Sequence, residues 1–168
     1  KPNDLLAAIY AWRSGAKLIP TIVADPERPK KRKTSEGKKR DQARKDATET
    51  RGMEVAKDYY ELLGYKVEDC SMKRKIGYDY LCQKGKEVIE VEVKGKSTDL
   101  DTVIVTKNEV NNALTTNNRC DLFIVFNIEH KYSGKTVKGV NGETHLIKRW
   151  NPRKDDLTAL EYLYKVNI

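Results

Sequence analysis

No stretch of this chain approaches the roughly 20 consecutive apolar residues that span a bilayer, and no signal-peptide hydrophobic region opens it. A membrane is therefore not an expected partner. Cysteine is scarce as well. Cys70, Cys82 and Cys120 are odd in number and lack C-x-x-C spacing, which excludes a disulfide framework and a zinc knuckle. A reducing, cytoplasmic compartment is the expectation. The only histidines, His130 and His145, lack the companion ligands a histidine-based metal finger needs, so both are expected as solvent-exposed structural residues. There is no internal repeat. The first residue is Lys1 rather than Met, so a fragment or a processed or trimmed chain is expected.

What the chain has instead is charge. Of its 168 residues 35% are charged and 38% hydrophobic, and the formal net charge is +8. That length fits one domain with an appendage. The basic balance favours a polyanion, nucleic acid before membrane, because no basic amphipathic helix is obvious.

Two regions are expected: 1–50, an N-terminal helix and basic charged linker, and 51–168, the globular domain. Leu5, Ile9 and Trp12 have helical spacing, with Asp4 as cap and Gly15 as stop. Residues 25–50 carry ten basic residues against six acids, a surplus of +4, and almost nothing to bury. This segment reads either as a basic arm on nucleic acid or as a linker whose second half continues as a solvated helix.

From Arg51 the pattern is globular. "RGMEVAKDYYELLGY" places Val55, Tyr59, Leu62 and Leu63 on one helical stripe ending at Gly64. "YKVEDCS", "GYDYLCQ", "KEVIEVEVKG" and "TVIVT" read as strands, "KNEVNNALTTNN" as a helix and "DLFIVFNI" as a buried strand. "EHKYSGKTVKGVNGE" is a polar excursion, followed by strands in "THLIKRW" and "LEYLYKVNI". Trp150 is expected to pack. In "TKNE" Thr106 and Glu109 form a capping box. Helices around one mixed sheet make the fold class α/β or α+β.

The stretch "KEVIEVEVKGKS" puts Glu90, Glu92 and Lys94 on one strand face and Ile89, Val91 and Val93 on the other. Two acids on one face repel unless a cation lies between them. A two-residue turn at Lys84-Gly85 pairs Gln83 with Lys86 and sets Asp79 opposite Glu90, with Glu92 on the diagonal. Three acids and a lysine then converge on one surface. Either they splay into water, or they hold a divalent cation such as Mg²⁺, which takes oxygen ligands and keeps several waters. Two acids, a metal ion and a lysine suffice to hydrolyse a phosphodiester.

"GYD" followed by "EVEVKG" across a short hairpin, after a helix with an internal glutamate, resembles the PD-(D/E)XK nuclease core. The longer pattern from "RGMEVAKDYYELLGY" through "VTKNEVNNAL" to "DLFIVFNI" resembles its Mrr-like branch, typified by the C-terminal domain of the plant NO VEIN protein. The resemblance covers roughly residues 51–166. It implies a restriction-endonuclease-like mixed sheet flanked by helices, with Asp79 and Glu92 as metal ligands and Lys94 as the lysine that positions the nucleophile. It also gives Glu54 the place of the core-helix glutamate, although the stripe Glu54, Asp58, Glu61 equally suits an ordinary solvated helix face. Glu90 has no counterpart, so the family pattern, not the register, selects Glu92. Tyr78 stands where the superfamily often has proline.

The function so implied is a Mg²⁺- or Mn²⁺-dependent DNA endonuclease domain, serving restriction or genome defence within a larger protein. Arg51, Lys96, Ser97 and Lys107 flank the site as candidate phosphate contacts. Expected partners are DNA, a helicase-like or specificity domain in the same or another protein, and a second copy in a homodimer. A non-catalytic DNA-binding or scaffold module of the same fold, or a ribonuclease, are the alternatives.

Overall fold

In the computed structural model the described residues are 35–73, 76–116 and 119–159. The expected N-terminal helix at 4–16 and the C-terminal strand at 160–168 lie outside them. The chain divides into compact units at 1–34 and 35–168, and the second carries everything below. It begins with a long helix, α1 (Ser35–Leu62), so the boundary expected at 50/51 falls inside one unbroken helix. The sequence permits this because residues 38–50 contain no proline or glycine to interrupt it. Ala47, Thr48, Gly52, Ala56 and Tyr60 form its buried stripe, at the i, i+4 spacing of one helical face. Small residues there let the helix sit close to the sheet. Gly64, at φ +85°, ends it, and its N–H donates to the Glu61 carbonyl.

Strands β1 (Lys66–Asp69), β2 (Tyr80–Lys84) and β3 (Glu87–Gly95) follow, then helix α2 (Lys107–Thr115) and strand β4 (Cys120–Phe126). β5 (Glu129–Ser133), β6 (Thr136–Val140) and β7 (Glu143–Ile147) complete the strands among the described residues, and a short 3-10 turn covers Lys154–Asp156. The main sheet has the order β1-β2-β3-β4-β7, while β5 and β6 form a separate hairpin. Among the described strands only β3 and β4 pair in parallel, as they must when a helix-bearing crossover joins them. The fold is α+β, with a mixed sheet and helices on both faces.

Alternation along the strands divides the core in two. Tyr80, Cys82, Val91, Val93, Phe123 and Val125 face α1, where they meet Ala56 and Tyr60. Cys120, Leu122 and Ile124 face α2, with Ala113 and Trp150. Each fully buried large side chain, such as Phe123, contributes about 1.5–3 kcal/mol through removal of apolar surface from water. All three cysteines are free and buried. Burial pushes the Cys82 and Cys120 thiols up to about 12, so both stay protonated and unreactive.

Four local expectations need correction. "TVIVT" (102–106) forms no strand. Val103 and Val105 pack onto the α2-side core, so the segment crosses a sheet face instead of lying along an edge. Leu62 and Leu63 are 88% and 43% exposed, because the helix buries its alanine–glycine–tyrosine stripe instead. The polar excursion is the β5–β6 hairpin. His130 is half-buried, not exposed, and holds this hairpin on α1 through Thr48.

Candidate active site

Asp79 stands one residue before β2. Its N–H donates to the Val91 carbonyl, and its own carbonyl accepts from the Cys70 N–H, so the ladder extends through it. The approach to it runs past α2, where Gly77 takes φ +76°. A Cβ at that position would lie 2.5 Å from the Asn108 carbonyl oxygen. Only glycine combines that backbone angle with that lack of space.

The β2–β3 register joins Lys84 to Glu87 and Tyr80 to Val91. The turn residues are therefore Gly85 and Lys86, not Lys84 and Gly85, and every pair shifts by two from the expected register. Continued by one residue, the ladder sets Asp79 opposite Glu92, whereas Glu90 faces Leu81. A shift of two preserves the side-chain face. The observed register thus sets Glu92 opposite Asp79, where the expected register places Glu90.

Because Tyr80, Val91 and Val93 face α1, Asp79, Glu92 and Lys94 share the α2 face. The Val93 N–H donates to Asp79 Oδ2 at 2.9 Å. Lys94 Nζ lies 2.7 Å from Glu92 Oε1 and 2.7 Å from Glu109 Oε2. Glu109 also accepts from the Thr106 N–H, while its own N–H donates to Thr106 Oγ1, so the expected capping box is present. That carboxylate has two tasks, and only the capping one shows in the sequence. Its reach to Lys94 depends on how α2 packs on β3.

Glu92 is only 3% exposed, and this burial pushes its carboxyl up to about 8 against the opposing pull of Lys94. Burial likewise raises Asp79, with the Val93 N–H and Lys94 acting the other way. Burial alone would lower Lys94, but Glu92 and Glu109 outweigh it and hold the ammonium above its ordinary value. Glu109 is lowered despite its own burial, since Lys94 and the Thr106 N–H donate to it. At these two adjoining carboxyls burial thus outweighs the compensating positive charge of Lys94.

Divalent cations such as Mg²⁺ and Mn²⁺ fit this donor set, being hard and drawn to carboxylate oxygen. Among the described residues no group of three or more His, Cys, Asp or Glu is gathered as a metal cage. Two carboxylates are enough for an ion that completes its shell with water or phosphate oxygens.

The remaining candidates scatter. Asn112 Nδ2 on α2 donates to Glu90 at 2.8 Å, which gives that acid a structural partner. Glu54 is exposed on α1, on the other side of the sheet, and its partner is Arg51 at 3.5 Å. Arg51 also donates to the Asn141 carbonyl. Lys96 is engaged with Asp101 and the Thr102 carbonyl. Ser97 and Lys107 are exposed, in the loop after β3 and at the first position of α2. The structure brings Asp79, Glu92 and Lys94 together, with Glu109 added, and leaves Glu54 apart from them.

Residues 48–138, 91 of the 168, match the family model described as Protein NO VEIN, C-terminal. The matched span runs from the middle of α1 into β6 and contains Glu54, Asp79, Glu92, Lys94 and Glu109. No curated protein and no solved structure matches the chain.

Proposed function

The chain belongs to the Protein NO VEIN C-terminal family, and from that premise we propose that it is a metal-dependent phosphodiester hydrolase domain. In this reading it cleaves DNA as an endonuclease of PD-(D/E)XK, Mrr-like type, within a larger protein serving restriction or genome defence. One observation carries the reading: Asp79 is aligned with Glu92 across the β2–β3 ladder, with Lys94 2.7 Å from Glu92 on the same face.

Asp79 and Glu92 would hold Mg²⁺ or Mn²⁺. When bound, the ion supplies Lewis acidity toward a phosphate oxygen and lowers the pKa of water. Lys94 keeps its proton, because two carboxylates face it, and so presents positive charge where a phosphate's negative charge develops. Its ammonium donors also orient the attacking water. Glu109 anchors that ammonium from α2 and fixes its direction. The Val93 N–H holds Asp79 Oδ2 in place, so the first acid needs no rearrangement to act as a ligand.

A second reading has its own support. Glu92, Lys94 and Glu109 already form a three-membered ion-pair cluster, which a DNA-binding or scaffold module could keep for structural reasons alone. The deciding assay incubates plasmid and modified DNA, and RNA, with the protein in Mg²⁺, in Mn²⁺ and in EDTA. Cleavage with either metal that stops in EDTA is expected. Cleavage that persists in EDTA would end the metal-dependent mechanism, and binding without any cleavage would favour the scaffold.

A further inference from the structure

The β5–β6 hairpin stands outside the main sheet, and the sequence presents it only as a polar excursion. Its inner face is built to hold position. Gly139 lies so near α1 that a Cβ there would come within 2.5 Å of the Ala47 carbonyl oxygen. His130 Nε2 lies 2.9 Å from Thr48 Oγ1 and 3.2 Å from the Arg44 carbonyl oxygen. Arg44 Nε donates to Tyr132 Oη at 2.6 Å, and the guanidinium groups of Arg40 and Arg44 lie 5.3 Å and 5.8 Å from the Tyr132 ring centre.

The outer face is different. Lys131 and Lys138 are directly opposite one another across the two strands, an arrangement that destabilises an antiparallel pair. Both are exposed, and among the described residues neither has an ion-pair or hydrogen-bond partner through its ammonium. Glu129 lies two positions away on the same face without closing on either. Lys135 stands exposed in the turn. From Glu129 to Val140 three lysines meet one glutamate, a surplus of +2. Arg40 and Arg44 of α1 flank Tyr132 on the opposite, inner face and help to clamp the ribbon in place.

The root of the hairpin is also bonded to the segment that follows β3. The Ile128 N–H donates to the Lys96 carbonyl, and the Asn127 N–H to the Thr98 carbonyl. The root of the ribbon is therefore bonded to the loop that begins directly after Lys94 and Gly95. We propose that the β5–β6 ribbon is a duplex DNA grip, with Lys131, Lys135 and Lys138 of its outer face and turn on the phosphate backbone. A two-stranded ribbon has the dimensions to enter or straddle a groove of B-DNA, and unpaired lysines supply the sequence-independent part of the affinity. The inference rests on the nuclease reading only for the identity of the polyanion as DNA.

The test is binding of a fluorescein-labelled DNA duplex in EDTA, so that cleavage plays no part, measured across a series of salt concentrations. Lys131→Ala/Lys138→Ala should weaken binding by about tenfold and flatten the log–log salt slope by about 1.8, or 0.9 for each phosphate no longer neutralised. Lys86→Ala/Lys148→Ala removes the same charge from two other exposed positions, one in the β2–β3 turn and one after β7, and should leave both quantities near those of the wild type. Thermal melts check that all variants fold. Equal losses in the two double variants would reduce the effect to bulk charge and overturn the proposal. Unchanged binding in the hairpin variant would overturn it as well, even if the wild type proves a nuclease. A hairpin-dependent affinity in a protein that never cleaves would sustain the grip and remove the nuclease reading.

Discussion

Glu92 is the least exposed acid of the candidate site, and its burial decides what each substitution there should do. Asp79→Ala and Glu92→Ala each remove a carboxylate that no neighbour replaces in geometry, so both should abolish metal-dependent cleavage and weaken Mg²⁺ binding in calorimetry. Lys94→Gln keeps a donor against Glu92 but loses the charge. Cleavage should fall by about 10²–10⁴-fold, while Mg²⁺ affinity persists, because lysine is not a ligand. Glu90→Ala loses only the hydrogen bond from Asn112 and should retain most activity. An indispensable Glu90 beside a dispensable Glu92 would mean that the register has been misassigned to function. Glu54→Gln should also be mild, since its described partner is Arg51, away from the cluster.

The elements show how much of this is legible in the residues alone. Strand alternation is enough to put Glu92 and Lys94 on one face, and an even hairpin loop is enough to bring Asp79 to them. Which acid lies opposite Asp79 depends on a two-residue slip of the turn, which leaves every face unchanged and so leaves no trace in the hydrophobic pattern. The "TVIVT" segment alternates like a strand because its valines do reach a core, but β3 is already paired on both sides by β2 and β4. On α1 the leucines have the spacing of a buried stripe; close packing selects Gly52 and Ala56 in their place. The hairpin is hidden because β5 has no aliphatic residue and β6 only Val137 and Val140, among lysines and polar residues.

One element-level constraint is visible only as a glycine before "YD". Gly77→Ala should destabilise the domain by about 2–4 kcal/mol, combining a positive φ with a clash against α2. It should also lower activity by displacing Asp79. Urea denaturation that matches the wild type would mean the backbone relaxes there without effect.

At the scale of the whole molecule the buried carboxyls make stability depend on pH and on divalent cations together. Glu92 has a folded pKa of about 8 against an ordinary value of 4.5. Between those limits the folded state binds more protons than the unfolded state, so stability must fall as pH rises. Each unit of separation is worth about 1.4 kcal/mol. Asp79, also raised, acts in the same direction at the acidic end of the range. Glu109 is lowered, so its contribution is complete above about pH 4.5 and lost only below. Lys94 is raised, and its contribution persists until pH exceeds its ordinary value of 10.5. The window from 4.5 to 8 therefore belongs mainly to Glu92. Without metal, the urea midpoint should decline from about pH 5 to about pH 8, and Glu92→Gln should flatten that decline. A cation that binds only the folded, deprotonated site stabilises it by mass action and must displace the Glu92 proton to do so. Millimolar Mg²⁺ should consequently raise the midpoint more at the alkaline end of that range than at the acidic end, and Asp79→Asn should remove most of that gain. If Mg²⁺ stabilised wild type and Asp79→Asn equally at both ends, the acids would be a structural ion-pair cluster, and metal-dependent chemistry at this site would have to be given up.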